Sequence, residues 1–286
     1  MKWNRLLKLA VVGTAAIGLL AACGNESDTK GASSKEGVRV VKVAYDQAGK
    51  PMTFLDENGE ASGYDVEVMK LVDEYLEDYE FEFVPTSNDD LLLGVEQGKY
   101  HVGVKNAFWT EERTEKYVFP KEFLGLSSIG LVLKKENESI KDLEQFASKG
   151  LTLAPIAANN AQYTVIAEHN EENPDTPVKL EAGEDFIVDV VQWVNEGRVD
   201  GGVMIEGSFN GQVNAEGAPY TNLKDDVVYN EFNVIRTWPL FNKKEQEFAD
   251  AYDEAIKKIK ETAALRELSK KYYDKDLFEV LDRVTR

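Results

Sequence analysis

One arginine, Arg113, stands where the sequence changes from a buried strand to a charged helix start. Residues 100–104 are apolar enough for a strand covered on both faces, and Thr110 with two glutamates after it is typical of a helix N-cap. Arg113 then occupies the third helical position, where the helix dipole disfavours a cation by about 0.3–1 kcal/mol. The position predicts that Arg113 faces an anion, such as a ligand carboxylate, that also binds free backbone N–H groups.

A second interpretation of Arg113 stays open from these residues alone. The guanidinium could instead pair with a glutamate of the same exposed helix turn, namely Glu111, Glu112 or Glu115. The two interpretations differ in whether a cavity lies beside the guanidinium.

Motifs of enzymes and metal sites are missing from the sequence. It contains no G-x-x-x-x-G-K-[ST], G-x-G-x-x-G, H-E-x-x-H or G-x-S-x-G segment. Two histidines and one cysteine are too few for an obvious zinc site or for a Cys or His nucleophile. We therefore expect a protein that is not an enzyme and that uses no metal or cofactor.

The N-terminal segment is typical of a secreted lipoprotein. Three basic residues precede an apolar run that ends near residue 22 and is short of the roughly 20 clean residues of a membrane span. The run closes with L-A-A-C-G, which resembles a bacterial lipobox, where cleavage before the cysteine leaves a thiol that is acylated. We expect residues 1–22 to be a signal peptide, Cys23 to carry the lipid, and residues 23–37 to form a flexible tether. The protein would then lie on the outer face of the cell membrane.

The charge of the chain limits its partners. The formal net charge is -19, from 33 Lys and Arg against 52 Asp and Glu. Nucleic acid is an unsuitable partner for such a surface, and contact with the membrane is expected only through the lipid. We expect a monomer whose acidic surface is simply solvated.

Strand and helix patterns alternate twice along the chain, which predicts the α/β class. The segments G-K-Y-H-V-G-V at 98–104 and G-R-V-D-G-G-V at 197–203 match in register, as two lobes built on one plan would. We expect two Rossmann-like lobes with mixed, mostly parallel sheets, joined by two crossover strands. Individual expectations are helices at 63–76, 243–261 and 264–273, the last being the final helix, and strands at 151–154 and 178–180.

The predicted boundaries place residues 38–128 and 233–286 in lobe 1 and residues 129–232 in lobe 2. The two passages between the lobes are hinge candidates. Ligands of open α/β sheets lie beyond the carboxyl ends of the strands, so a shared crevice is expected there.

Four segments together resemble the amino-acid-binding branch of bacterial ABC-transporter solute-binding proteins, family 3, with the type II periplasmic-binding-protein fold. They are G-Y-D-V-E-V-M-K-L-V, G-K-Y-H-V followed by T-E-E-R, G-R-V-D, and A-L-R-E-L-S-K-K-Y-Y. The resemblance covers about residues 38–274. It implies a receptor that closes on one amino acid and passes it to the permease and ATPase subunits of an importer.

The resemblance also implies roles for individual residues. Arg113 would form a salt bridge with the α-carboxylate of the ligand, and Asn159 and Asn160 would donate further hydrogen bonds to it. Asn106 and Phe108 would line the ammonium side of the pocket.

This sequence departs from the family pattern on the ammonium side. Where the family has an acid, this chain has Ile205, with Glu206 beside it. Either a local shift lets Glu206 substitute, or the ammonium of the ligand is bound in another way. A usual stacking aromatic is also missing, and we expect one of four other residues to replace it: Phe54, Phe108, Trp109 or Trp238.

The ligand side chain and the wider role are less closely defined. The segment N-N-A-Q-Y and the polar insert at 168–177 are similar to those of members that bind polar or sulfur-containing amino acids such as cystine. Two other functions stay open: a ligand-binding sensor for a membrane partner, and a dehydratase on the same fold.

Overall fold

The computed structural model describes residues 37–183 and 189–285. The predicted signal peptide, the lipidation at Cys23 and the tether up to residue 36 lie outside the described residues.

The described residues form short and long strands alternating with helices. The strands are β1 Arg39–Asp46, β2 Ala48–Gly49, β3 Thr53–Leu55, β4 Ala61–Ser62, β5 Tyr79–Thr86, β6 Val102–Ala107, β7 Tyr117–Val118, β8 Gly125–Lys134, β9 Ile156–Ala157, β10 Ala182–Gly183, β11 Gly201–Ile205 and β12 Val227–Asn242. The helices are α1 Tyr64–Tyr75, α2 Asn88–Glu96, α3 Glu111–Lys116, α4 Leu143–Ser148, α5 Ala161–Glu172, α6 Val190–Glu196, α7 Glu206–Phe209, α8 Gln246–Lys260, α9 Ala264–Tyr273 and α10 Leu277–Val284. Within the described ranges, none of these helices has the length and hydrophobicity needed to cross a bilayer.

One mixed sheet runs through the described part of the chain. Its strand order is β11-β8-β12-β6-β1-β5, and β7 pairs with β12 beside this path. Strand β1 runs parallel to β5 and β6, whereas the long strands β8 and β12 run antiparallel to each other. Strand β12 also pairs with β6, so its 16 residues extend from one half of the sheet to the other. The predicted mixed α/β class is confirmed.

The apolar core falls into separate groups on the two halves of this sheet. In the first half, Met69 of α1 and Phe248 of α8 pack on β1, β5 and β6. In the second half, Phe146 of α4 packs on β8. Strand β8 contributes Leu126 to the first group and Ile129 to the second, so the chain passes between the two cores within this one strand.

The helix predictions are confirmed where apolar residues recur at helical spacing. The expected helices at 63–76 and 243–261 are α1 and α8, each slightly shorter than predicted. The predicted strand at 178–180 is wrong. The side chain of Asn170 bonds both the N–H and the C=O of Val178, at 2.8 Å each, and so takes the place of a neighbouring strand.

Two further expectations are corrected at short elements. The predicted strand at 151–154 is reduced to one bridge between Leu153 and Gly201, and the strand proper, β9, follows it. The helix at 264–273 is α9, but it is not the last. Asp276 caps α10 by accepting the N–H of Phe278 at 3.0 Å, and this short helix buries Leu277 and Phe278.

Candidate ligand-binding site

Arg113 is positioned by the end of β6 and the start of α3. Strand β6 continues to Ala107, three residues beyond the predicted end, and Thr110 caps α3 as predicted, its Oγ1 accepting the backbone N–H of Arg113 at 3.3 Å. The guanidinium Nη1 donates to the carbonyl oxygen of Phe108 at 2.7 Å. This bond folds the side chain back toward the carboxyl end of β6.

The acidic neighbours of Arg113 leave its guanidinium unpaired. Among residues 37–183 and 189–285, no carboxylate forms a salt bridge with it, and Glu112 pairs with Lys116 instead, at 3.1 Å. Burial lowers the pKa of Arg113 from its ordinary value, although a guanidinium stays charged at neutral pH. The interpretation in which Arg113 pairs with a glutamate of its own turn does not hold for the described residues.

A cavity of about 440 Å³, here the Arg113 cavity, lies beside the guanidinium. It is lined by Leu92, Phe108, Thr110, Glu112, Arg113, Lys116, Tyr117, Asn159, Asn160 and Ala161. Four of the residues expected at the site, Arg113, Phe108, Asn159 and Asn160, therefore share one cavity. The volume is within the range of small-molecule sites.

The beginning of α5 forms another part of the wall of the Arg113 cavity. Asn160 is the N-cap residue of this helix, and its side chain makes no capping hydrogen bond, so its amide is available to the cavity. The first turn of α5 contains no acidic residue. A helix N-terminus attracts anions through its free N–H groups and dipole, so this wall and the guanidinium suit the same carboxylate.

A second cavity, of about 340 Å³, adjoins the same asparagines and extends to Ile205 and Ser208. Ile205 is the position at which the family resemblance led us to expect an acid. This wall therefore cannot accept a hydrogen bond from an ammonium group through the side chain of Ile205.

Asn106 lies at the end of β6 in an unusual conformation. Its φ of 56° is in the left-handed region, which non-glycine residues seldom adopt. Its backbone N–H donates to Oδ2 of Asp65 at 2.8 Å, and its Oδ1 accepts the hydroxyl of Ser127 at 2.7 Å. Asn106 lines neither of the two cavities.

Comparison with known proteins decides the family. Residues 41–275 match the bacterial extracellular solute-binding proteins, family 3. The chain belongs to this family. It shares 26% identity over 260 residues with the L-cystine-binding protein TcyK of Bacillus subtilis (strain 168), covering 91% of this chain and 93% of that protein. It shares 28% identity over 232 residues with the L-cystine-binding protein TcyJ of the same organism, covering 80% of this chain and 83% of that protein.

Solved structures show the same fold. The crystal structure of the probable amino-acid ABC transporter extracellular-binding protein ytmK from Bacillus subtilis superposes with a TM-score of 0.59 at 22% identity, covering 82% of this chain and 97% of that one. The fold is thus the two-lobed α/β fold of type II periplasmic binding proteins, with β8 and β12 as the crossover strands.

In this solute-binding protein, Glu206 is already paired with a lysine. Lys275, between α9 and α10, lies 2.6 Å from Glu206 and 2.5 Å from Glu231. Burial lowers the pKa of Lys275, but its hydrogen bonds to the two glutamates outweigh that effect and raise it overall. Glu206 lines neither cavity, and sequence analysis missed Lys275 because nothing local marks a lysine that pairs across the fold.

The aromatic candidates are scattered. Phe54 of β3 contacts Tyr272 edge to face, with ring centroids 6.4 Å apart, and lines neither cavity. Trp109 is 51% exposed, and Trp238 packs on Phe119. Only Phe108 among the four candidates lines the Arg113 cavity.

Asp65 is a site-supporting residue that sequence analysis missed. It is completely buried in the first turn of α1 and bonds Asn106, as described above. The signal that could have found it is an acid between the buried positions Tyr64 and Val66.

Proposed function

We propose that this chain is the substrate-binding lipoprotein of an ABC importer, which captures one amino acid and delivers it to a permease. The observation that supports this proposal is the guanidinium of Arg113, without an acid partner among the described residues, in a cavity of about 440 Å³ that the N-terminus of α5 also lines. A carboxylate there would receive a charge-assisted pair from Arg113 and hydrogen bonds from the α5 side.

Capture would proceed by closure of two lobes, residues 38–128 with 233–286 and residues 129–232. Arg113 belongs to the first and Asn160 to the second, so a carboxylate bound by both is held from both sides. A ligand shifts an open-to-closed equilibrium only through contacts that differ between the two states. Bonds made to both lobes at once provide that difference, and the crossover strands provide the hinge.

The proposed ligand is a polar or sulfur-containing amino acid, with L-cystine as the first candidate. The names of the relatives TcyK and TcyJ support this choice. In the closed form, Asn106 and Phe108 would line the ammonium side. Phe54 would contact the ligand side chain, and Glu206 would accept the ammonium once Lys275 is displaced.

The remaining features follow from the sequence. Cys23 in its lipobox would anchor a monomer to the outer face of the cell membrane, where permease and ATPase subunits complete the importer. No cofactor and no turnover of the bound ligand are expected.

Isothermal titration of the protein lacking residues 1–22 with each amino acid and with L-cystine tests the proposal. Arg113→Ala should reduce the affinity for the bound ligand at least about a hundredfold, because a desolvated carboxylate loses its charged partner. The melting temperature should change little, since Arg113 has no acid partner to lose among the described residues.

Arg198→Ala is the matched control, because Arg198 is exposed, forms a salt bridge with Glu196 and lies over the ring of Trp193, away from the residues that line the Arg113 cavity. It should leave affinity unchanged. The proposal fails if no amino acid binds, or if Arg113→Ala binds as tightly as the native protein.

A further inference from the structure

The second cavity, of about 340 Å³, adjoins the Arg113 cavity at the start of α5. Three successive residues divide between the two: Asn160 lines both cavities, Ala161 lines the Arg113 cavity, and Gln162 lines the second. Asn159 also lines both. A ligand whose carboxylate lies between Arg113 and the start of α5 therefore has the second cavity directly beside it.

The walls of the two cavities differ in charge. Glu112, Arg113 and Lys116 line the Arg113 cavity, whereas none of the described residues that line the second cavity carries a charge. The group that suits a carboxylate, the guanidinium of Arg113, is thus in the first cavity. The α-carboxylate of the ligand belongs there, and its side chain extends into the second cavity.

Most of the wall of the second cavity is apolar. Val203 and Met204 of β11 line it, as does Ile205 at the end of that strand. Ile156 of β9 and Val190 of α6 complete this apolar surface. Such a wall suits the apolar stem of a ligand side chain, because burying the stem removes apolar surface from water.

Gln162 is a polar residue in this wall, and its carboxamide oxygen is not engaged. Oε1 of Gln162 is buried and has no hydrogen-bond partner among the described residues. A buried polar atom without a partner is destabilising, so a ligand group that bonds it is favoured. The terminal torsion of a glutamine side chain is broad, so the carboxamide can turn toward the cavity. Once turned, it can both accept and donate a hydrogen bond.

We propose that the second cavity is the side-chain subsite of the ligand, and that Gln162 determines specificity by hydrogen-bonding a polar group at the end of an otherwise apolar side chain. The inference rests on the proposed function and narrows its ligand class. Ser208 and Gln212, which line the same cavity, are further polar partners for that group. An amino acid with an entirely apolar side chain fits the apolar wall but leaves the carboxamide of Gln162 without a partner.

Calorimetric titration with two matched pairs of probes tests the inference. L-glutamine and L-methionine have side chains of similar length, ending in a carboxamide and in a methyl thioether. L-cystine and the mixed disulfide of cysteine with 1-propanethiol share the disulfide, but only cystine has polar groups beyond it. In each pair that binds, the polar-ended probe should bind at least about fivefold more tightly, as one neutral hydrogen bond is worth.

Gln162→Met removes the hydrogen-bonding groups and keeps the length of the side chain. It should reduce the preference within each pair below about twofold, by weakening the polar-ended probe alone. The melting temperature should not fall, because Oε1 of Gln162 has no hydrogen bond to lose among the described residues. Gln246→Met, at an exposed position in the first turn of α8, is the matched control and should keep the native preference.

Two results would overturn the inference. One is a native protein that binds the apolar-ended probe of a pair at least as tightly as the polar-ended probe. The other is a Gln162→Met variant that keeps the native preference. If none of these probes binds but another amino acid does, the inference fails and the proposed function stands. If no amino acid binds at all, both fail.

Discussion

The buried carboxylate of Asp65 and the backbone of Asn106 are joined by a hydrogen bond of 2.8 Å, from the N–H of Asn106 to Oδ2. Asn106 has a φ of 56°, in the left-handed region that asparagine adopts more readily than most other non-glycine residues. The bond to Asp65 stabilises that conformation at the point where β6 turns toward Phe108. Since the carbonyl of Phe108 holds the guanidinium of Arg113, Asp65 fixes the segment that presents the cation.

Asp65→Ala should weaken both ligand binding and folding. It leaves the N–H of Asn106 without its acceptor, at a cost of about 1–3 kcal/mol, and frees the turn that carries Arg113. Calorimetric titration with L-cystine and thermal melting measure the two effects. Asp65→Asn keeps a carbonyl oxygen for the same bond and should retain most of the affinity. Equal losses of affinity and stability in Asp65→Ala and Asp65→Asn would show that the hydrogen bond to Asn106 is not the cause of those losses.

Asp65 should also make stability depend on pH. Burial raises the pKa of Asp65 to about 7, and the hydrogen bond from Asn106 only partly opposes that shift. The folded protein thus keeps a proton on Asp65 that the unfolded chain releases near pH 4. The contribution of Asp65 to the free energy of unfolding therefore declines between about pH 4 and about pH 7, and it stays constant above about pH 7.

Urea unfolding at pH 5 and pH 8 measures this effect. The native protein should lose more free energy of unfolding between the two pH values than Asp65→Asn, which cannot titrate at this position. Because the other acidic groups are the same in both proteins, the difference between the two losses isolates Asp65. Identical losses would contradict the prediction.

What the sequence predicts correctly here depends on local chemistry. Thr110 is recognisable as an N-cap because its bond to the N–H of Arg113 spans only three residues, and α1 is recognisable from apolar residues at helical spacing. Four of the expected site residues line one cavity, because ligand sites of α/β folds lie where the carboxyl ends of strands meet the starts of helices.

What the sequence does not predict depends on pairs that are distant along the chain. Lys275 and Glu231 are 44 residues apart, and no periodicity marks either as a partner of the other. The side chain of Asn170 bonds the backbone N–H and C=O of Val178, as a neighbouring strand otherwise would. A pattern of apolar residues cannot reveal such a side-chain contact. The left-handed turn at Asn106 is likewise maintained by Asp65, 41 residues earlier.

Arg113→Lys tests whether geometry matters as well as charge. A guanidinium can bond the carbonyl of Phe108 and still offer a planar pair of donors to a carboxylate, whereas an ammonium is a point charge with a shorter reach. We expect the affinity for the ligand to fall by about tenfold or more, with little change in melting temperature. Arg198→Lys, at an exposed pair, is the control. Native affinity in Arg113→Lys would show that charge alone suffices.

Lys275→Met should destabilise the protein. Its removal leaves Glu206 and Glu231 without their shared cation. The Ser128 hydroxyl still donates to Glu231 at 2.6 Å, and among the described residues Arg283, 3.7 Å from Glu231, is the remaining base of this cluster. The side chain of Lys275 is 30% exposed, so we expect a loss of about 1–3 kcal/mol in the free energy of unfolding.

Two further variants make that measurement specific. Lys135→Met breaks an exposed pair with Glu138, and should cost less than about 1 kcal/mol in the same urea titration. Adding Glu206→Gln to Lys275→Met should recover part of the loss by removing one of the unpaired acids. A Lys275→Met protein as stable as Lys135→Met would contradict the assigned role.

Asn160→Asp should separate binding from stability, because the two effects have opposite signs. An aspartate at the N-cap of α5 satisfies the helix start and interacts favourably with its dipole, so the melting temperature should not fall. The new carboxylate lies in the cavity wall that also contains Arg113, where it repels an incoming carboxylate and competes for the guanidinium. Affinity for the ligand should fall by about tenfold. Asn160→Ser, which keeps a capping oxygen without the charge but loses the amide donor, should bind more weakly than the native protein and more tightly than Asn160→Asp. Equal affinities of the Asp and Ser variants would show that the carboxylate does not approach this wall.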